Sequence, residues 1–174
     1  MSDVTESPSA WRSPSLGRWT LFAVIAIAVL AADQLTKGWV TGTLERGAAP
    51  TQVLGDWLRV VYWENSGILF GMLPRSGPAF GVVSLAVAAL IVFYHYKAGR
   101  GIMTTICLSL LLGGAIGNLL DRLQYGAVVD WIDMGIGTAR FWTYNIADAG
   151  ITTAIVMLIV LTVFPVTTTW GADA

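Results

Sequence analysis

Three aspartates stand where apolar chain gives way to polar chain: Asp33, Asp121 and Asp148. A fourth, Asp130, lies between Val129 and Trp131, with no adjacent residue to neutralise it. Acids at membrane depth are costly and mark either a pairing or a chemical function. Two carboxylates brought together in a partly dry site cannot both ionise, so they share one proton. One then serves as base towards a water while the protonated partner polarises a carbonyl, as in aspartic proteases. Other hydrolytic designs lack their residues. The chain has no His-Glu-x-x-His and no Gly-x-Ser-x-Gly, and neither Lys37 nor Lys97 has an evident nucleophile for a Ser-Lys dyad.

Each candidate also has a structural reading. Asp33 and Lys37 are four apart and suit an ion pair within one helix. Asp121 and Arg122 could hold a helix end. Asp148 opens an apolar run, where a carboxylate caps a helix and meets its positive pole. Gly113, Gly114, Ala115 and Gly117 allow helices to approach closely in a membrane. The single cysteine, Cys107, excludes an intramolecular disulfide framework and a multi-cysteine zinc site, and in its apolar run it reads as a small hydrophobe. His95, beside Tyr94, Tyr96 and Lys97, reads as an interfacial residue rather than a metal ligand.

The elements that must carry these residues are membrane helices. Of 174 residues, 55% are hydrophobic and 12% charged, against about 25% charged in a typical globular chain. The net charge of -1 and the lack of a basic run exclude nucleic acid as a partner. Spans of about 20 residues are predicted at about 19–40, 78–96, 102–120 and 149–164, and the short link Lys97–Gly101 makes the second and third antiparallel. Residues 1–18, rich in Ser and Pro, read as a disordered cytoplasmic lead, and 169–174 as a tail. An alternative reading of the start is a cleavable signal peptide, from Arg12, Arg18, the run Leu21–Leu30 and the pair Ala31-Ala32. Arg12, Arg18, Lys97 and Arg100 fall on one side of the membrane and the other six cations on the opposite side. The density of charge in the short second-to-third loop, set against long mixed loops opposite, places both termini in the cytoplasm.

This topology gathers Asp33, Asp121 and Asp148 at the extracytoplasmic face, where loops of about 41–77 and 121–148 add Asn65 and Asp130. Within those loops, Trp57–Trp63 suits a strand, and Val128–Met134 and Arg140–Tyr144 flank a hairpin at Gly135–Thr138. Trp57, Trp63, Trp131 and Trp142 suit anchors at the membrane interface.

Five ordered motifs then carry a resemblance. Asp33-Gln-Leu-Thr-Lys37, Asn65-Ser-Gly-Ile-Leu-Phe70, Gly117-Asn-Leu-Leu-Asp-Arg122, Val129-Asp130 and Asn145-Ile-Ala-Asp148 resemble those of lipoprotein signal peptidases (signal peptidase II) over about residues 20–165. The resemblance implies an all-α membrane protein of the bacterial inner membrane: a four-transmembrane-helix bundle, residues 19–168, with a small extracytoplasmic β-cradle formed by the long loops and a mobile outer segment. It implies an aspartyl endopeptidase that works without metal; no cofactor, a monomer and contact with membrane lipids are expected beside it. Its substrates would be diacylglyceryl-modified prolipoproteins, cut immediately before the lipidated cysteine. By matching position, Asp130 and Asp148 would be the catalytic dyad. Asn118, Asp121, Arg122 and Asn145 would support it and position substrate; Asp33, Lys37 and Asn65 would line the substrate site or brace the loops. The match also keeps Asp33 on an uncleaved helix. Ile68-Leu69 in place of Ala-Ala, Tyr144 in place of Phe, and Ala149-Gly150 in place of Ser-Ala depart from the family pattern and bear on local pocket shape. Two rival classes remain: a proton or ion carrier, whose acids would be spread through the membrane depth, and a scaffold whose acids would tolerate replacement by Asn.

Overall fold

The computed structural model describes residues 13–66, 77–98 and 101–164. Among these the chain forms four helices: α1 (Leu16–Thr43), α2 (Gly77–Ala98), α3 (Ile102–Tyr125) and α4 (Ile146–Val163). The Ser15 side chain accepts the N–H of Arg18 and so starts α1, drawing in residues 16–18 that the composition assigned to a polar lead. Residues 1–12, the segment 67–76 with Ile68 and Leu69 of the second motif, residues 99–100 and the tail from 165 lie outside the described residues. α3 runs past its apolar stretch to Tyr125 and stops where Gly126, at φ +72°, gives its N–H to the Arg122 carbonyl. Apolar runs mark what lipid can cover, whereas helices continue while their backbone bonds are met. Asp121 and Arg122 therefore sit on the last turns of α3, and Asp148 on the first turn of α4, rather than in loops.

α1, α3 and α4 are long and apolar enough to cross a membrane. α3 is the central helix and packs against each of the other three. Its small residues permit this. A Cβ on Gly113 would lie 2.6 Å from the Ala26 carbonyl oxygen of α1, and one on Gly114 would lie 2.5 Å from the Ala147 carbonyl oxygen of α4. Gly114→Val is accordingly expected to lower stability by about 1–3 kcal/mol, read as a drop in thermal unfolding midpoint in bicelles. An unchanged midpoint would show that the approach is slack.

Phe22, Ala26, Ala88, Ile91, Leu108 and Leu112 form the core between α1, α2 and α3. His95 belongs to this region. It is fully buried, stacked on Phe22 at 4.1 Å and met edge-on by Trp19 at 4.6 Å, because the start of α1 folds over the end of α2.

A four-stranded antiparallel sheet in the order β1-β2-β3-β4 covers one end of the bundle: β1 (Thr51–Leu54), β2 (Leu58–Asn65), β3 (Val128–Ile136) and β4 (Ala139–Arg140). Val40 of α1, Val60 of β2 and Val129 of β3 pack together and fix sheet to bundle. Trp131 rests on this cluster with its indole N–H buried, so it is a packing residue and not an exposed anchor. Trp57, Trp63 and Trp142 are exposed. The hairpin turns at Gly137-Thr138, and the Gly137 N–H donates to Asp56. Asp133 joins Arg59 at 2.6 Å and Arg140 at 2.9 Å. Burial opposes its ionisation, but the bonds and charges of Arg140 and Arg59 outweigh this and hold its carboxyl below the usual range. Beyond β4 the chain returns along β3. Trp131 and Ile132 give their N–H groups to the Tyr144 carbonyl, at 3.0 and 2.8 Å. This return sets Asn145, the next residue, beside Asp130.

Candidate active site

β3 and α4 bring Asp130 and Asp148 to a common neighbour, Asn145. Its side-chain amide donates to Asp130 Oδ1 at 2.8 Å, and its backbone N–H donates to Asp148 Oδ2 at 3.3 Å. The same residue starts α4: its Oδ1 accepts the Asp148 N–H at 2.9 Å, which completes a reciprocal capping box. Capping and proximity to Asp130 are thus one arrangement, and the two readings of Asp148 do not compete.

Asn118 of α3 closes the group. Its amide nitrogen donates to Asp148 Oδ1 at 2.8 Å, while its Oδ1 accepts from Lys37 at 3.1 Å and from Asn145 at 3.2 Å. A flipped amide would set donors against both, so the orientation is fixed. Asn65, near the end of β2, donates to Asp130 Oδ2 at 3.2 Å. Both oxygens of Asp130 therefore accept, and the residue is only 2% exposed. Its burial, together with the nearby charge of Asp148, outweighs the Asn65 and Asn145 bonds and the Lys37 charge, and pushes the carboxyl up to about 7.

Behind the pair lies a second buried group. The Lys37 ammonium meets Asp33 Oδ2 at 2.7 Å and Asp121 Oδ2 at 2.8 Å. Asp33 Oδ1 accepts the Ala147 N–H at 2.9 Å, and Asp121 Oδ2 accepts the Val129 N–H at 3.0 Å. Here the structure corrects the sequence. Asp121 pairs with Lys37 of α1 and not with its neighbour Arg122, which turns to donate to the Asn118 carbonyl at 3.1 Å. Arg122 is half-buried, and its charge bears on Asp148, Asp121 and Asp130. Gly117 leaves the space this needs, since a Cβ there would lie 2.5 Å from Asp33 Oδ2.

All nine residues singled out from the sequence fall in these two linked groups. Gln34 went unremarked and belongs with them. Its amide nitrogen lies 3.0 Å from Asp121 Oδ1 and 3.2 Å from both Asp33 Oδ2 and the Gly117 carbonyl. A glutamine inside an apolar span, next to a charged residue, was the available signal. Among the described residues no three His, Cys, Asp or Glu side chains converge to hold a metal ion. The cation at Asp33 and Asp121 is the chain's own ammonium.

Membrane-length helices thus hold buried carboxylates beneath a small sheet, an arrangement that can serve two-carboxylate hydrolysis. Residues 25–164 match the family model described as signal peptidase (SPase) II. The lipoprotein signal peptidase of Staphylococcus carnosus is 34% identical over 146 residues, covering 83% of this chain and 90% of the relative. That of Chlorobaculum tepidum is 37% identical over 150 residues, covering 80% and 91%. A solved structure described as a bacterial membrane enzyme, determined in meso at 2.3 Å, superposes with a TM-score of 0.79 at 28% identity, covering 87% of this chain and 91% of its own. The chain belongs to the signal peptidase II family.

Proposed function

We propose that the protein removes signal peptides from diacylglyceryl-modified prolipoproteins, cutting immediately before the lipidated cysteine, with Asp130 and Asp148 as the catalytic dyad. The observation that carries the dyad is Asn145, which bonds both carboxylates from within one capping box. The pair is read as sharing one proton, with burial and the charge of Asp148 pushing the Asp130 carboxyl up to about 7. Asp148 takes a proton from water as that water attacks the scissile carbonyl; Asp130 donates to the carbonyl oxygen, and the tetrahedral species collapses as a proton passes to the leaving nitrogen.

α2 completes a bundle of four spans: its 22 residues rise about 33 Å, enough for a hydrocarbon core of about 30 Å. Both termini then lie in the cytoplasm and the sheet lies at the outer face, as the short basic link between α2 and α3 favours. Exposed Trp57, Trp63, Phe141 and Trp142 suit that sheet to rest at the membrane interface among lipids. Among the described residues α2 and α4 both lean on α3 without extended contact with each other, and a membrane-bound substrate would enter between them. The nine site residues meet one another directly, which supports a monomer as the working unit. The carrier reading loses ground because the acids gather at one end of the bundle and do not line a path through it.

The test is cleavage by purified protein of one prolipoprotein with and without the diacylglyceryl group, in the presence and absence of a chelator. Cleavage before the modified cysteine, insensitive to chelator and at least about a hundredfold faster than that of the unmodified form, is expected. Equal cleavage of both forms would remove the lipid from the recognition, and loss of activity on chelation would remove the two-carboxylate mechanism.

A further inference from the structure

Two backbone N–H groups have unusual partners. Ala147 is the second residue of α4, where an N–H has no acceptor within its own helix, and it donates to Asp33 of α1 at 2.9 Å. Val129 lies on β3, and its N–H turns to Asp121 of α3 at 3.0 Å. Ala147 immediately precedes Asp148 and Val129 immediately precedes Asp130. The two carboxylates that receive these N–H groups meet at one ammonium, Lys37, at 2.7 and 2.8 Å.

We propose that Lys37 sets the spacing of the dyad through two carboxylate arms, Asp33 to Asp148 and Asp121 to Asp130; this rests on the reading of Asp130 and Asp148 as the dyad. Each arm holds the peptide unit just before a catalytic residue, so it fixes where that residue's Cα lies. The Trp131 and Ile132 bonds to Tyr144 hold β3 to the start of α4, and the two arms hold the peptide units that precede Asp130 and Asp148. The ammonium between the arms removes the repulsion that two buried carboxylates would exert face to face. Gln34 ties the arms together through Asp33 Oδ2 and Asp121 Oδ1. Lys37 donates to Asp33 and Asn118 and lies in ion-pair contact with Asp121, so its charge is spent within this group. Lys37, Asp33, Asp121 and Gln34 make no bond to either carboxylate of the dyad, and are positioning residues.

The test combines amide hydrogen exchange of the full chain in bicelles, without substrate, with steady-state cleavage kinetics. Asp33→Leu is expected to speed exchange at the Ala147 amide by about tenfold or more and to leave Val129 unchanged. Asp121→Leu is expected to do the reverse, and Lys37→Met to release both amides. In each variant kcat falls by about a hundredfold, the cost of a displacement near 1 Å, while KM stays within a fewfold range. Asp33→Asn and Asp121→Asn, which keep the volume and one acceptor oxygen, give the same crossed pattern with smaller changes should a leucine variant fail to fold. Release of both amides by either aspartate variant, release of neither, or a rise in KM at constant kcat would overturn the proposal. Failure of the dyad reading is separate, because it would show as normal cleavage by Asp130→Asn whatever the exchange pattern.

Discussion

Asp130→Asn is expected to abolish cleavage and, at pH 8, to make the protein more stable than the wild type. General acid-base groups contribute about 10²–10⁴ in rate, so processing of a lipid-modified substrate falls at least about a hundredfold. The stability gain comes from the same environment. The folded-state carboxyl is raised from the ordinary 3.8 to about 7, so between these values the folded protein keeps a proton that the unfolded chain has released. Stability therefore falls as pH rises through this window and is level above it. The full penalty is on the order of 4 kcal/mol for a shift of about three units. Asparagine never pays it, but it can accept from only one of Asn65 and Asn145, which costs about 1 kcal/mol. The net effect favours the variant at pH 8, and the advantage disappears below pH 4, where both proteins are neutral at this position. Thermal unfolding in bicelles at the two pH values reads both signs. A variant that melts below the wild type at pH 8 would contradict the burial account.

The pH profile of kcat/KM carries the second large effect. If the shared proton resides on Asp130, activity falls on the alkaline side from about 7, approaching about tenfold per pH unit as the proton leaves the pair. The groups that face Asp130 are Asn65 from β2, Asn145 and Asp148 from α4, Lys37 from α1 and Arg122 from α3. The Asn65 bond favours the ionised carboxyl. Asn65→Ala is thus expected to move the falling limb to higher pH, even as it lowers the maximum. A limb that moves to lower pH, or a wild-type profile flat from pH 6 to 9, would place the critical proton elsewhere.

What could be read from the sequence follows the range of the forces involved. The Asp33–Lys37 pair was legible because four residues is one helical turn, and the buried contact at 2.7 Å agrees. The Lys37–Asp121 contact was not, since adjacency pointed to Arg122 and nothing in the spacing joins α1 to α3. Apolar length located the helices but missed their ends, because Asp121 and Arg122 continue α3 with their own partners. β1 escaped notice because its four residues are exposed throughout and carry no alternation. Trp131 was misplaced because β3 is buried along most of its length, so alternation could not separate an inward from an outward residue. His95 was read from its neighbours Tyr94, Tyr96 and Lys97, whereas its burial depends on two aromatic rings more than seventy residues earlier in the chain. The pairing of Asp130 with Asp148 came from the family resemblance. Adjacency had already offered Asp33 and Asp121 a cation each, and the structure gives both of them Lys37.

The identity of the α4 cap with the residue that joins the two aspartates has a consequence for how the protein fails. Helix ends open long before a fold melts, at a small fraction of the global free energy. In most helices such fraying is silent. Here one turn of unwinding withdraws the Asn145 amide from Asp130 and its N–H from Asp148 together. With Asp130 and Asp148 as the proposed dyad, loss of activity on heating is expected to be undone on cooling and to precede separation of the helices, which activity assays beside thermal unfolding in bicelles check.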